Sequence, residues 1–321
     1  MKLMRVEEAM LKKDPRNYQI LFLLLFLILG IGTRDWTLRP DLILVVMLTC
    51  LLTQWLAVSL WTNPPGKLLN LLSQQQNNSE KNDAGLASFP QLTSLKSALI
   101  TALSLSLLLR ADHYTTMIVA GSLAILSKFL FQIERKHFFN PANFGIIAAL
   151  ILTDDAWVSP GQWGEEGWYA LLFAGTGGLV LKRVGRWDTT AAFLGVYALL
   201  EAIRNLWLGW TWDVFCHRLM SGSLLLFALF MITDPRSIPN ARISRITWAG
   251  CIAILTFILR NQFFVPTAVF WALFVLAPLS IILDCIWPAS RFSWSDNSSR
   301  VEESLPEKDL NKADLEPISL N

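Results

Sequence analysis

Two polar, proline-containing motifs interrupt the long apolar runs of the chain, and their residue types suit the binding of a polar or electron-rich group. The first motif is HFFNPANFG, at residues 137–145. Asn140 is suited to cap a helix and Pro141 to occupy its first turn, so we predict a helix that begins here with exposed amide groups. Helix N-termini in an apolar environment attract anions and carbonyl oxygens. The simpler interpretation is a well-capped helix start.

The second motif is Ser221-Gly222-Ser223, followed after an apolar stretch by MITDPRS at residues 231–237. Asp234 and Arg236 are expected either to pair with each other or to hold a polar ligand at the membrane surface. Pro235 is expected to end the helix, which is also the simpler reading of the motif. The candidate ligand-binding residues of the two motifs are Asn140, Pro141, Asn143, Ser221, Ser223, Thr233, Asp234 and Arg236.

Ionisable residues inside apolar runs are costly in a membrane and therefore suggest a function. The candidates for a substrate or ion pathway are Lys128, Glu201, Arg204, His217 and Arg218. Glu201 and Arg204 lie three residues apart on one helix face, so they are expected to pair with each other. Lys128 either serves a pathway or extends its amine to the membrane surface. His217 and Arg218 either reach a ligand in a central cavity or form an interfacial pair.

The sequence does not predict a catalytic residue or a metal site. It contains no arrangement that resembles a nucleophile and base, a metal cluster or a phosphate-binding loop. The four cysteines lack CxxC spacing and lie in or beside apolar stretches, where a thiol behaves as a small hydrophobic group. The net charge of +2 and the scattered basic residues exclude nucleic-acid binding.

The elements that position these residues are predicted to be membrane-spanning helices. The chain is 53% hydrophobic and 16% charged, against about 25% charged in soluble domains, and its 14 Trp and 19 Phe suit the two membrane interfaces. A span needs about 20 apolar residues, or fewer when it is enclosed by protein. The ten predicted spans cover residues 18–33, 41–62, 92–110, 114–132, 140–153, 166–182, 189–208, 214–233, 243–260 and 264–286.

Loop charge predicts how these spans are oriented. Lys and Arg are retained on the cytoplasmic side, which favours an inner-membrane protein with both termini in the cytoplasm. The predicted regions are a cytoplasmic N-terminus (1–17), a first membrane half (18–153) with a polar loop (63–90), an external loop (154–165), a second half (166–286) and a disordered cytoplasmic tail (287–321). Five spans in each half permit an inverted repeat, because an odd-numbered repeat inserts in the opposite orientation.

Three segments resemble the membrane-subunit family of RnfD and NqrB. They are FFNPANFGIIAALILT, KRVGRWDTTAAFLG and MSGSLLLFALFMITDPRSIPNARISR, and the similarity extends over residues 135–286. The resemblance implies a ten-helix subunit of a redox-driven ion pump, built from two five-helix halves and similar in fold to urea transporters. It also implies flavin binding and a position on the route of electrons to quinone.

One departure from the family concerns its cofactor. The family attaches FMN through a phosphodiester to a Thr in an S-G-A-T-like motif, usually in a polar insertion. Residues 154–167 contain neither a Thr nor such a motif. Thr176 lies in AGTGG inside the sixth predicted span, where the glycines are expected to allow close helix packing. The resemblance therefore implies noncovalent FMN, riboflavin or quinone, and no covalent FMN.

Two functions from different classes remain open at this point. In the first, the chain takes part in membrane electron transfer coupled to ion transport, alongside other redox-complex subunits. Its flavin or quinone would then bind between the halves, near the two motifs. In the second, it is a transporter or channel for a small solute that uses the same fold without a redox cofactor. An accessory scaffold is a third interpretation.

Overall fold

A computed structural model describes residues 15–33, 39–62, 89–134, 136–159 and 167–292. Most of the predicted N-terminal region (1–17), the polar loop (63–90) and the tail (287–321) lie outside the described residues, as does part of the external loop (154–165). The boundaries predicted for these regions stay predictions.

The described residues are mainly helical, and each predicted span coincides with one helix or one bent helix pair. The first block contains α1 (Pro15–Thr33), α2 (Pro40–Thr62), α3 (Phe89–Leu108), α4 (Tyr114–Leu130) and α5 (Pro141–Leu152). The second block contains α6 (Gly167–Val184), α7 (Trp187–Trp207), α8 (Trp212–Leu219), α9 (Gly222–Leu226), α10 (Arg242–Asn261), α11 (Ala268–Leu276) and α12 (Leu279–Ile286). A π-helix, Phe227–Met231, continues α9 directly.

Two of the apolar runs are bent. The run of α8 bends by 51° before α9 and the π-helix, and the run of α11 bends by 47° before α12. Pro278 lies at the second break, where it removes one backbone donor from the helix. Bent and broken helices leave backbone carbonyls without helical partners, so other groups must satisfy them.

Length and composition identify fewer certain spans than the sequence predicts. Among the described residues, α1, α2 and α10 are long and apolar enough to cross a membrane, and the two bent pairs raise that number from three to five. Helices α3, α4 and α5 are apolar but shorter. The polytopic helical class is therefore confirmed, whereas the ten-span count depends on further arguments.

Two short antiparallel strand pairs fix the loops around α5. Strand β1 (Leu109–Arg110) pairs with β4 (Trp157–Val158), which ties the end of α3 to the loop after α5. Strand β2 (Gln132–Ile133) pairs with β3 (Lys136–His137), which reverses the chain between α4 and α5. Both ends of α5 are thereby positioned by hydrogen-bonded backbone.

Four helix contacts recur in the two blocks. In the first block, α2 packs against α3 and α4, α4 against α5, and α1 against α3. In the second, α7 packs against α8 and α10, α10 against α11, and α6 against α9 and the π-helix. Between the blocks, α1 contacts α6 and α5 contacts α11.

Two glycines permit close approach of these helices. A Cβ on Gly145 would lie 2.6 Å from the carbonyl oxygen of Ala120 in α4, closer than any real Cβ contact. A Cβ on Gly177 would lie 2.9 Å from the Cβ of Leu229 in the π-helix. The packing role predicted for the AGTGG glycines is thus correct for Gly177. It is wrong for Gly175 and Gly178, which have no atom within 4 Å of the added carbon.

The apolar side chains divide between a continuous interior and the outer surface. Phe193, Phe227 and Phe270 belong to the buried core, which includes helices of both blocks. Large apolar side chains also point outward, such as Leu171, which is 74% exposed, and Trp207, which is 88% exposed. An apolar outer surface of this kind is stable when lipid covers it.

Candidate functional site

Asn140 and Asn143 connect the start of α5 to the two irregular helical segments. The Asn140 Oδ1 accepts a hydrogen bond from the Asn143 amide at 3.0 Å, which is the predicted helix cap. The Asn140 Nδ2 donates to the Met231 carbonyl of the π-helix at 3.0 Å. The Asn143 Nδ2 donates to the Phe270 carbonyl of α11 at 3.1 Å. These contacts satisfy backbone groups, and they give both asparagines a positioning role.

The other side of Asn143 carries an unsatisfied acceptor. Its Oδ1 is buried and has no hydrogen-bond partner among the described residues. Pro141 occupies the first turn of α5, as predicted. The aromatic ring of Phe139, just before the cap, stacks on Phe274 of α11 with ring centroids 5.0 Å apart. The start of α5 is therefore enclosed by apolar and amide groups.

Asp234 pairs with His137 of the first motif and not with Arg236. The pairing of Asp234 with Arg236, one of the two alternatives predicted from the sequence, is therefore wrong. The His137 Nε2 lies 3.5 Å from Asp234 Oδ2, whereas the hydrogen bond from Arg236 to Asp234 Oδ1, at 3.2 Å, comes from its backbone N–H. Arg236 is an exposed residue. Burial lowers the pKa of His137 below its usual value, and the nearby Asp234 carboxylate only partly opposes this effect.

The side chains of Thr233 and Lys128 both have hydrogen-bond partners within the protein. The Thr233 hydroxyl donates to the Leu229 carbonyl at 3.0 Å, one turn earlier in the same segment. The Lys128 amine donates to the Ser97 carbonyl at 3.4 Å and to the Ser97 hydroxyl at 3.3 Å. Because the Lys128 side chain is buried, it does not extend to the membrane surface.

Glu201 is the centre of a buried polar network between α7, α8 and α10. It is 2% exposed. Its Oε1 accepts from the Tyr197 hydroxyl at 3.0 Å and from the Asn261 Nδ2 at 2.9 Å. Its Oε2 accepts from the Arg218 guanidinium at 3.1 Å, and the same guanidinium nitrogen donates to Asn261 Oδ1 at 2.8 Å. Both carboxylate oxygens are therefore bonded.

The predicted Glu201–Arg204 pair is wrong, because Arg218 from the next helix replaces Arg204. The Arg204 guanidinium instead lies over the Trp210 ring, 4.7 Å from its centroid. His217 and Arg218 face different directions: successive helical residues point about 100° apart, so Arg218 faces Glu201 while His217 is exposed.

A cavity of about 630 Å³ lies between β4, α9, the end of α10 and the start of α11. Its apolar wall includes Leu150, Val158, Leu224, Val269 and Phe270. Its polar wall consists of Ser159, Ser221, Ser223, Arg260 and Thr267. This volume lies within the range of about 300–1,000 Å³ that is typical of small-molecule sites.

The cavity separates the predicted site residues into two groups. Ser221 and Ser223 line it, and their hydroxyl oxygens are 3.0 Å apart. Thr233 and Asp234 follow the opposite end of the helical segment 222–231, which is roughly 15 Å long at 1.5 Å per residue. Asn143 reaches the cavity indirectly, because it holds the carbonyl of the lining residue Phe270. Roles of these residues in ligand binding stay predictions.

Three residues that the sequence analysis missed are central to this region: Arg260, Tyr197 and Asn261. The Arg260 guanidinium lines the cavity and donates to the Tyr197 hydroxyl at 3.0 Å. In the sequence, Arg260 and Asn261 stand where an apolar run ends and look like an ordinary helix terminus. Arg260 bonds to Tyr197 and Asn261 to Glu201, and both bonds depend on packing between α7 and α10, which the sequence does not reveal.

Two further ion pairs join helices at the other end of α10. Arg245 binds Asp188 through Nε at 3.2 Å and Nη2 at 2.5 Å, and both side chains are buried. The Lys136 amine lies 2.5 Å from Asp284 Oδ2, and Asp284 Oδ1 accepts the Asn240 amide at 2.7 Å. Arg245 and Asp188 are 57 positions apart in the sequence, and Lys136 and Asp284 are 148 positions apart. No local spacing therefore indicates these pairs.

The apolar outer surface, the bent helices and the buried polar groups together define a polytopic α-helical membrane protein. Comparison with known families identifies its second block: residues 152–292 match the NQR2, RnfD, RnfE family. The resemblance predicted from the sequence motifs is therefore confirmed for this part of the chain.

Curated relatives match a similar share of the chain, and each is named as the D component of an ion-translocating oxidoreductase complex. The protein from Actinobacillus pleuropneumoniae serotype 5b is 30% identical over 107 residues, 32% of this chain and 31% of the relative. That of Haemophilus ducreyi is 30% identical over 121 residues, 37% of this chain and 34% of the relative. The protein from Halorhodospira halophila is 26% identical over 119 residues, 37% of this chain and 33% of the relative. The matches span about a third of each relative.

Proposed function

We propose that this protein is a membrane subunit that takes part in electron transfer coupled to ion transport, and that it binds a flavin or quinone noncovalently. The observation that carries the proposal is the position of the cavity. All its lining residues except Leu150 lie within residues 152–292, the segment that matches the NQR2, RnfD, RnfE family. The relatives are named as one component of a complex, which supports further redox subunits as partners.

The proposed architecture is ten spans in two inverted halves in the inner membrane, with both termini in the cytoplasm. The repeated packing pattern supports it, because four helix contacts of the first block recur between the corresponding helices of the second. The meetings of α1 with α6 and of α5 with α11 support a pseudo-two-fold relation between the blocks. In this arrangement the ligand cavity lies on the external side, since the loop after α5 contributes to it.

The walls of the cavity suit a ligand with a flat apolar body and polar edges. Phe270, Val269 and Leu224 offer apolar surface, while Ser221 and Ser223 offer hydroxyl groups for ring oxygens and nitrogens. The absence of a Thr from residues 154–167 argues against an anchored cofactor. A reversible, noncovalent association follows.

The test is the visible spectrum of the purified protein in detergent before and after denaturation. Noncovalent flavin is expected to appear in the supernatant once the protein is precipitated, and bound quinone in an organic extract of the same sample. Ser221→Val combined with Ser223→Val should lower the ligand content, whereas Ser127→Ala, a buried serine that donates to the Ala124 carbonyl away from the cavity, should leave it unchanged. A colourless, quinone-free protein would contradict the proposal.

A second candidate is a transporter or channel for a small solute that uses the same fold without a redox cofactor. The missing S-G-A-T-like motif favours it, together with a cavity that contains hydroxyl groups and a cation. Uptake of solute into liposomes by a colourless preparation supports this function. Flavin-dependent electron transfer without uptake supports the first.

A further inference from the structure

We propose that Arg260 is an anion-binding residue and that the cavity accepts the phosphate or carboxylate group of an amphipathic ligand. The inference deepens the proposed function and rests on it where the ligand is a flavin, since it then selects FMN over riboflavin. The side-chain cluster around Glu201 carries the argument, because it determines how much positive charge remains at the cavity.

The Glu201 carboxylate is paired with Arg218 and not with Arg260. Glu201 contributes one negative charge, and Arg218 lies 3.1 Å from its Oε2 as a direct ion pair. Arg260 reaches Glu201 only through the neutral hydroxyl of Tyr197, which accepts from Arg260 and donates to Glu201. The carboxylate is therefore neutralised by Arg218, and within the part of the chain that the structure describes no second carboxylate of this cluster balances the charge of Arg260.

The described wall of the cavity carries a positive charge. Among its described lining residues, Arg260 is the one charged side chain, and no carboxylate accompanies it. A half-buried guanidinium in a partly apolar cavity interacts strongly with an anion, because the effective dielectric constant is lower than in water. Binding of an anionic group would balance the charge of Arg260, which no carboxylate among the described lining residues balances.

The Arg260 guanidinium has more N–H donors than Tyr197 uses. Arginine has five N–H donors in a planar fork, and Tyr197 takes a bond from one of the terminal nitrogens of Arg260. The remaining donors suit two oxygens of one phosphate or carboxylate group. Thr267 and Ser223 line the same cavity and can donate hydroxyl hydrogen bonds to the same group. The apolar wall would then contact the body of the ligand.

The experiment compares binding of FMN, riboflavin and inorganic phosphate to the full-length protein in detergent. Wild-type protein is expected to prefer FMN to riboflavin by roughly 10- to 100-fold, the typical effect of one hydrogen bond to a charged group. Inorganic phosphate is expected to compete with FMN. Arg260→Gln should abolish the preference, while Arg260→Lys should retain part of it because the charge remains.

Two further variants separate binding from folding. Arg242→Gln removes a cation from the opposite end of α10, where the side chain is 67% exposed, and should leave the preference intact. Ser223→Asp keeps Arg260 but adds a carboxylate to the cavity wall, and should also reduce FMN binding. If Arg260→Gln does not fold, Ser223→Asp still tests the charge argument, with gel filtration as the check on folding.

The outcomes distinguish this inference from the proposed function. Equal binding of FMN and riboflavin in wild type overturns the anion site and leaves flavin binding in place. Absence of flavin binding, with Arg260-dependent binding of phosphate, removes the flavin and supports the anion site. Displacement of phosphate by lysophosphatidic acid, and not by uncharged monoacylglycerol, identifies a lipid head group as the source. Absence of binding to all three probes overturns both proposals.

Discussion

At the residue scale, Asn140 performs two tasks with one amide group. Its oxygen caps α5 and its nitrogen binds the Met231 carbonyl of the π-helix. A π-helix within an α-helical segment often marks a functional site, and here its carbonyls need partners from other helices. The Thr190 hydroxyl of α7 supplies a second such bond, to the Ala228 carbonyl at 2.6 Å.

The two tasks of Asn140 can be separated by substitution. Asn140→Ser keeps a capping oxygen but loses the donor to Met231, whereas Asn140→Ala loses both. We expect Asn140→Ala to be less stable than Asn140→Ser by about 1 kcal/mol, the usual value of a helix cap. Thermal unfolding in detergent measures the difference. Equal stability of the two variants would show that the cap contributes nothing here.

Glu201 and Arg218 should depend on each other for stability. Glu201→Gln leaves the guanidinium opposite a neutral amide, and we expect a loss of about 1–3 kcal/mol, less than for a fully buried pair because a quarter of the Arg218 side chain is exposed. The double variant Glu201→Gln with Arg218→Gln should be more stable than Glu201→Gln alone. A thermal-unfolding double-mutant cycle measures this coupling, and additive effects would contradict it.

At the scale of the elements, helix contacts are governed by a few small residues. Gly145 lies where the backbone of α5 meets that of α4, and an added methyl group would collide with the Ala120 carbonyl oxygen at 2.6 Å and the Ala124 Cβ at 2.8 Å. Neither neighbour is a flexible side-chain end, so the helices themselves would have to separate.

Substitution of two glycines by alanine should therefore have opposite effects. We expect Gly145→Ala to destabilise the protein by about 1–3 kcal/mol through overpacking. Gly195 in α7 has no atom within 4 Å of an added Cβ, so Gly195→Ala should be neutral or stabilise by up to about 1 kcal/mol through helix propensity. Melting temperatures of the two variants in the same detergent test this, and a similar loss in both would refute the packing argument.

The loop after α5 holds the start of α4 through one carboxylate. Asp155 accepts hydrogen bonds from the Thr116 hydroxyl and from the His113 and Asp112 amides. Burial by itself would raise the pKa of Asp155, but these hydrogen bonds together hold it well below its usual range. The ionised form is thus favoured in the folded protein.

This pKa shift predicts how stability depends on pH. The pKa is lower in the folded than in the unfolded state, so the contribution of Asp155 is complete above its unfolded pKa of about 3.9 and is lost as pH falls below that value. Asp155→Asn should lower stability at pH 7 and reduce the loss of stability between pH 5 and pH 3. Unfolding temperatures of both proteins across this range provide the measurement. An unchanged pH profile would contradict the assignment.

At the scale of the whole molecule, the number of spans determines which loops share a side of the membrane. In the proposed ten-span arrangement with a cytoplasmic N-terminus, the loop after α5 is external and the start of α10 is cytoplasmic. If only the five spans supported by length and composition crossed the membrane, both positions would exchange sides.

Cysteine labelling distinguishes these topologies. In a variant without its four native cysteines, Asp154→Cys and Arg242→Cys each place one thiol on an exposed residue in a loop or at a helix start. With right-side-out vesicles, a membrane-impermeant maleimide should label Asp154→Cys and should label Arg242→Cys only after permeabilisation. The reverse pattern would support five spans and contradict the proposed architecture.

The sequence is sufficient to predict the apolar runs, the cap at Asn140, the proline-associated helix ends and the family resemblance. Each of these depends on neighbouring residues and on a helical period that is fixed by backbone geometry. It did not determine the partners of the charged groups: Glu201 pairs with Arg218, Asp234 with His137 and Asp188 with Arg245.

Those pairs and the cavity appear only in the folded protein, because both depend on which helix faces meet. The bend after α8 brings Ser221 and Ser223 to the same cavity as Arg260, a residue that the sequence places in a different span. An isolated helix specifies the direction of a side chain relative to its own axis. The identity of the group opposite is fixed only when the helices pack, which is why the motifs were recognisable in the sequence and the charge balance around Arg260 was not.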